Sequence, residues 1–150
     1  METLIGQLNE AGVRYLAIGG QAVRLHGLPR FSMDWDLWIP PRDLGNLERL
    51  NEALSPWMEE RVEPLGPKGE NFIQTFQTSL GIVQFHLMVP GMDLFEAAEA
   101  AAVRIPMEDE VQCRVLSLPD LLRTKLAAGR PQDQVDVDFL RERIRMLNHG

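Results

Sequence analysis

Asp34 and Asp36 stand two residues apart in the run Met33-Asp34-Trp35-Asp36-Leu37-Trp38-Ile39. In an extended strand residues i and i+2 point to one face, so the two carboxylates converge on one side. Two hard oxygen donors at that spacing suit a Mg²⁺ ion that carries substrate phosphates. The apolar residues beside them sharpen the argument, because paired carboxylates at the mouth of a hydrophobic strand repel and lose hydration unless a cation joins them. A lone Asp-x-Asp also reads as a solvated pair ahead of a strand, so a second element is needed.

That element lies upstream. Val13-Arg14-Tyr15-Leu16-Ala17-Ile18 reads as a buried strand broken by Gly19-Gly20, after which Gln21 to His26 resume as a short helix ended by Gly27-Leu28-Pro29. A strand that ends in bare glycines and feeds a helix offers backbone N–H groups to phosphate oxygens. Taken alone, a Gly-Gly pair more often marks a turn.

The remaining elements must bring these two segments together. A first helix is expected over residues 3–11, with Leu4, Ile5, Leu8 and Ala11 on one side and Gly12 as its stop. Residues 36–39 form a short central strand halted by Pro40-Pro41, and a helix over 43–54 carries Leu44, Leu47, Leu50 and Leu54 as one stripe. Residues 55–70 hold three prolines and two glycines and are irregular. Strands are expected over 72–78 and 82–89, joined through Ser79-Leu80-Gly81, with Gln84, His86 and Met88 sharing one face of the second. An alanine-rich helix follows over 94–102, then a strand over 111–116. Ser117 caps a helix over 118–128, which Gly129 ends. A last amphipathic helix over about 132–147 turns Val135, Phe139 and Ile144 inward. The order gives an α/β (α+β) chain with a mixed sheet, flanking helices and a C-terminal helical tail from about residue 118, all within one domain over 1–150.

Composition agrees and excludes several classes. A chain of 150 residues with 45% hydrophobic and 25% charged residues is that of a globular protein. Its single cysteine, Cys113, rules out an internal disulfide and reads as a small buried hydrophobe. No run approaches the ~18 apolar residues of a membrane span, and the first residues lack the pattern of a secretory signal, so a cytoplasmic protein with no membrane partner is expected. Twenty-two acids against fifteen lysines and arginines give a net charge of -7, which makes nucleic acid an unfavourable partner. The charges are segregated, however: residues 31–60 are acidic and residues 121–150 carry Arg123, Lys125, Arg130, Arg141, Arg143 and Arg145. Such segments read as two solvated helical surfaces, or as two walls that meet around a metal and a polyphosphate.

Together, Gly19, Gly20, Asp34 and Asp36 resemble, in type, order and spacing, the signature of the nucleotidyltransferase superfamily with its polymerase-beta-like fold. Arg30 and Ser32 ahead of Asp34 are similar to the small bacterial members of the toxin/antitoxin-associated and antibiotic-adenylylating type. The run Val115-Leu116-Ser117 to Leu140 resembles that group's second signature, a helix carrying Lys125 followed by Arg130, Asp133 and Asp136. The resemblance implies in-line transfer of a nucleoside monophosphate from an NTP, ATP foremost, to a small-molecule or protein hydroxyl, with Mg²⁺ ions clamping the attacking and leaving oxygens. It implies Asp34 and Asp36 as metal ligands, Gly19, Gly20 and Arg30 as phosphate holders, and Lys125 as a point charge near the triphosphate. It leaves Arg130 and Asp133 as a pair fixing the tail, and Lys125 equally readable as a snorkelling surface lysine.

One position departs from the pattern. The third carboxylate that the family carries on a later strand corresponds to Gln84, an amide that ligates weakly and cannot serve as a base. His86, on the same face, reads either as a helper or as a structural histidine. The competing reading is therefore a catalytically weakened nucleotide-binding or antitoxin-like partner-binding protein, for which a helical toxin-like protein or another copy of the chain is the partner expected. In either reading a chain of this length leaves little room for an acceptor-binding domain, so a second subunit is expected to complete the cleft. Trp35, Trp38 and Trp57 read as packing rather than as a base-stacking platform.

Overall fold

The computed structural model describes residues 1–149. Its elements run α1 (Glu2–Glu10), β1 (Leu16–Ile18), α2 (Gly19–Leu25), β2 (Asp34–Trp38), α3 (Leu44–Leu54), β3 (Ile73–Thr78), β4 (Gly81–His86), α4 (Phe95–Ala101), β5 (Val103–Pro106), β6 (Gln112–Val115), α5 (Leu118–Ala128), a 3₁₀ turn (Pro131–Asp133) and α6 (Gln134–His149). The six strands form one mixed sheet in the order β3-β4-β2-β1-β6-β5. β2 pairs antiparallel with β1 and parallel with β4, while β1 pairs parallel with β6. The mixed α/β architecture with a C-terminal helix is the one expected. Among the described residues, no helix is long and apolar enough to cross a membrane.

Alternation along β2 and β4 separates two environments. Trp35, Leu37, Val83 and Phe85 are buried, whereas Asp34, Asp36, Ile82, Gln84 and His86 on the other parity are only half-buried. The buried set joins Leu4, Ile5 and Leu8 of α1 and Leu47, Leu50 and Leu54 of α3 in one hydrophobic core. The α3 stripe is as expected except that Leu44, at the first turn, stays 65% exposed. Trp38 meets Phe95 edge-on at 5.2 Å between ring centroids, so Trp35 and Trp38 are packing residues, and Trp57 is partly buried against the same core.

Burial pushes the Cys113 thiol up to about 12, which leaves it protonated and inert at neutral pH.

The proline-rich stretch after α3 is held by side-chain amides. Asn51 accepts from Val62 N at 2.7 Å and donates to Val62 O at 3.0 Å, and Gln74 makes the same two-way bond with the backbone of Glu63, at 2.7 Å each way. Asn46 clamps Arg14 in the same manner just ahead of β1. Each amide supplies one donor and one acceptor in the geometry of a strand rung, so segments without regular structure still satisfy their backbone groups.

Three expectations need correction. Helix α2 begins at Gly19 itself, so the glycine pair opens the helix instead of separating it from β1. The strand Val103–Pro106 was not expected; it is a sheet edge, where Pro106 is tolerated because only one side of the strand must pair. On α6, Val135 is 67% exposed, and the inward positions are Asp136, Val137 and Leu140, with Phe139 and Ile144 partly buried. The helix is rolled so that a carboxylate faces inward, for a reason given below.

Candidate functional site

Both carboxylates of β2 open into a cleft of about 350 Å³, whose wall also includes Gly19, Gly20, Arg30, Ser32, Lys125 and Asp133. Their convergence follows from the two-residue repeat of the strand, with Trp35 between them turned to the core. Gly19 sits at φ +71°, and a Cβ there would stand 2.5 Å from Asp36 Oδ2. Only glycine lets the backbone entering α2 approach that carboxylate so closely. At Gly20 a Cβ would crowd Ser32 Oγ at 3.0 Å and the Arg30 guanidinium at 3.1 Å.

The loop between α2 and β2 is tied down from both ends. Gln21 Nε2 donates to Ser32 O at 2.8 Å, and Ser32 Oγ donates to the backbone oxygen of Asp34 at 3.2 Å. Arg30 reaches across to α6 and donates through Nη1 to Asp136 Oδ2.

Lys125 is buried. Its ammonium lies 3.2 Å from Asp133 Oδ1 and 3.1 Å from Asp136 Oδ2, so the surface-lysine alternative is replaced by a buried ion cluster. Arg130 completes it with two bonds to Asp133, from Nε at 2.8 Å and Nη2 at 3.0 Å. Burial raises the Asp133 carboxyl, but the Arg130 hydrogen bonds and the Lys125 charge outweigh it and hold the group below its ordinary range. Those bonds, with the charges of Asp133, Asp36 and Asp136, hold the Arg130 guanidinium above its own. This cluster explains the roll of α6, since turning Asp136 inward supplies the counter-charge that Lys125 and Arg30 require. Sequence periodicity weighed Val135 as apolar and gave Asp136 no partner.

Gln84 lies in register with Asp36 across the parallel β2/β4 pair, with Thr75 of β3 on its other side. Neither Gln84 nor His86 belongs to the wall of the cleft. His86 Nε2–H donates to Asp36 Oδ1 at 2.8 Å, a bond that sequence reasoning missed although the shared parity of residues 84 and 86 was legible. Asp36 is therefore approached from two sides, by His86 at Oδ1 and by the Gly19 backbone near Oδ2.

Among the described residues, no group of three or more His, Cys, Asp or Glu side chains is arranged to hold a metal ion by itself. The donor set instead fits a Mg²⁺ ion that arrives with phosphates, because such an ion takes one or two protein carboxylates and completes its octahedron with substrate oxygens and water.

No protein-family model and no curated protein matches the sequence. Comparison with solved structures does find relatives in shape. A protein from Thermotoga maritima described as a nucleotidyltransferase is 14% identical, with a TM-score of 0.56 over 95% of this chain and 89% of that one. ANT(2")-Ia in complex with adenylyl-2"-tobramycin is 15% identical, with a TM-score of 0.59 over 95% and 86%. An antigenic nucleotidyltransferase-like protein from Paracoccidioides brasiliensis is 16% identical, with a TM-score of 0.55 over 97% and 73%. With the glycine-led helix, the Asp-x-Asp strand and the mixed sheet already in place, the chain has the fold of the nucleotidyltransferase superfamily.

Proposed function

We propose that the chain binds an NTP with Mg²⁺ in the cleft between Gly19-Gly20 and the β2 carboxylates and transfers its nucleoside monophosphate to a hydroxyl of a small molecule or protein. The observation that carries this reading is the contact of Gly19 with Asp36, a side-chain-free backbone laid against a carboxylate that faces an open cleft. The charges of the cleft support it. Arg30, Lys125 and Arg130 are balanced in the wall by Asp34, Asp36 and Asp133, and Asp136 behind them adds one more negative charge. A polyphosphate gains little from such a wall unless a divalent ion enters with it.

In the proposed reaction the acceptor oxygen forms a bond to the α-phosphorus, the bond from that phosphorus to the β-phosphate bridge breaks, pyrophosphate leaves and the hydroxyl proton is released. Asp34 and Asp36 would hold the Mg²⁺, which when bound would neutralise the phosphate charge. Gly19 and Gly20 leave room for the phosphates. Arg30 and Lys125 are fixed at the wall by Asp133 and Asp136, so they act as positioned charges rather than mobile arms.

A second reading, a nucleotide-binding or antitoxin-like protein with weakened catalysis, rests on Gln84, since an amide sits beside Asp36 where an acid would serve the attacking hydroxyl.

Thermal unfolding tests the shared part of both readings. ATP is expected to raise Tm only with Mg²⁺ present, and Asp34→Asn or Asp36→Asn should each remove the shift, since stabilisation tracks occupancy. A parent-like response in both variants would place the nucleotide elsewhere.

A further inference from the structure

A second concavity shares no residue with the nucleotide cleft. It encloses about 1030 Å³ between the ends of β2 and β4 and the segment leading into α4. Trp38, Leu87 and Phe95 form a floor that is at most 2% exposed, and the Trp38 Nε1–H has no acceptor among the described residues. Phe72, Met88 and Leu94 line the mouth at 49, 51 and 66% exposure, far more apolar surface than isolated side chains at a surface require. The walls are stiff. Pro40-Pro41 forms part of one, and in the other Gly91, at φ +83°, seats its loop so closely on α5 that a Cβ would stand 2.7 Å from Ala127 Cβ and 3.0 Å from Arg123 O.

The rim charges select among occupants. Arg14 is matched by Asp43 at 3.0 Å and Glu99 at 2.9 Å, with Glu96 farther off at 3.5 Å. The wall carries Asp43, Asp93 and Glu96 against Arg14 and Arg42, one net negative charge, and exposed Asp93 has no ion-pair partner among the described residues. Burying Asp93 and Glu96 under a flat protein surface would strip their hydration, whereas a small molecule can fill the apolar depth and leave its own charge at the mouth beside them.

From this geometry we infer a small-molecule binding site for a ligand with a flat apolar body and a single cationic end. It is independent of the nucleotide reading, because the groove is preformed and no residue of the cleft contributes to it.

A matched indole series tests it by protein-detected NMR, without nucleotide: tryptamine (cationic), 3-ethylindole (neutral) and indole-3-propionate (anionic), read at the Met88 and Met92 methyls and the Trp38 indole N–H. Tryptamine is expected to bind about fivefold more tightly than 3-ethylindole, as two exposed carboxylates allow, and the anion more weakly than either. Asp93→Asn with Glu96→Gln should bring tryptamine within about twofold of 3-ethylindole. Leu94→Arg should suppress binding of tryptamine while the methyl spectrum elsewhere stays that of the folded parent. Absence of shifts at these probes with all three compounds overturns the site, and equal or stronger binding of the anion overturns the ligand class.

Discussion

Lys125→Met is expected to lower the unfolding free energy by about 3–5 kcal/mol in urea titrations without nucleotide, the loss typical when one member of a buried ion cluster is removed. Asp133 and Asp136 are both nearly inaccessible to water, and each stands within 3.2 Å of the Lys125 ammonium. Methionine fills the space but leaves Asp133 to Arg130 and Asp136 to Arg30, whose side chains are 55% and 32% exposed. Adding Asp136→Asn to Lys125→Met should recover about 1 kcal/mol or more, because the second change removes a buried charge that the first left with only the partly exposed Arg30. Full parental stability in Lys125→Met would mean that the cluster contributes nothing to folding.

The same cluster fixes the sign of a pH dependence. The Asp133 carboxyl is held below its unfolded range, so its contribution is present above the ordinary aspartate pKa and is lost as pH falls through the lower folded value. Parental stability should therefore decline from about pH 5 downward. The decline should be shallower in Lys125→Met, where one of the charges that depresses Asp133 is gone.

This cluster also marks where sequence reasoning stopped. The fold was legible because its signals are local: alternation in β2 and β4, the leucine stripe of α3, and Ser117, whose side chain accepts from Asp120 N at 3.3 Å as an N-cap should. Gly19, Gly20, Asp34 and Asp36 were legible as a set since two short-range spacings define them. Asp136 was named only through the resemblance of the 115–140 run, and its inward turn was not legible, because its partners Arg30 and Lys125 lie 106 and 11 residues away and no periodicity links a carboxylate to either. The β5 edge was hidden by Pro106 and by an exposed face that lacks alternation. The groove floored by Trp38 and Phe95 joins residues from Arg14 to Glu96, a juxtaposition only the folded chain displays.

Gln84→Asp is expected to raise nucleotidyl transfer about 10²- to 10⁴-fold over a weak parental rate, the range that a positioned general base supplies. Gln84 is half-buried and in register with Asp36, so a carboxylate there would stand beside the acid that the proposal gives to Mg²⁺. The new acid also brings a cost that can be measured separately. A third carboxylate next to Asp36 and Asp34 adds repulsion in a partly desolvated site, so the variant should melt below the parent in EDTA and regain that difference in Mg²⁺. Nucleotide affinity should stay within about tenfold, since Gln84 does not itself line the cleft. Pyrophosphate release with hydroxyl acceptors, parent beside variant, reads the first effect, and calorimetry with and without Mg²⁺ reads the second. A gain in both assigns the missing acid as the reason for slow transfer. Recovery by Mg²⁺ without a gain in release would show that the metal reaches Gln84's position but that transfer is limited elsewhere, favouring the nucleotide-binding reading. Brisk release by the parent that Gln84→Asp leaves unchanged or lowers would overturn the weakened-catalyst reading and turn attention to His86, which already holds Asp36 Oδ1 at 2.8 Å.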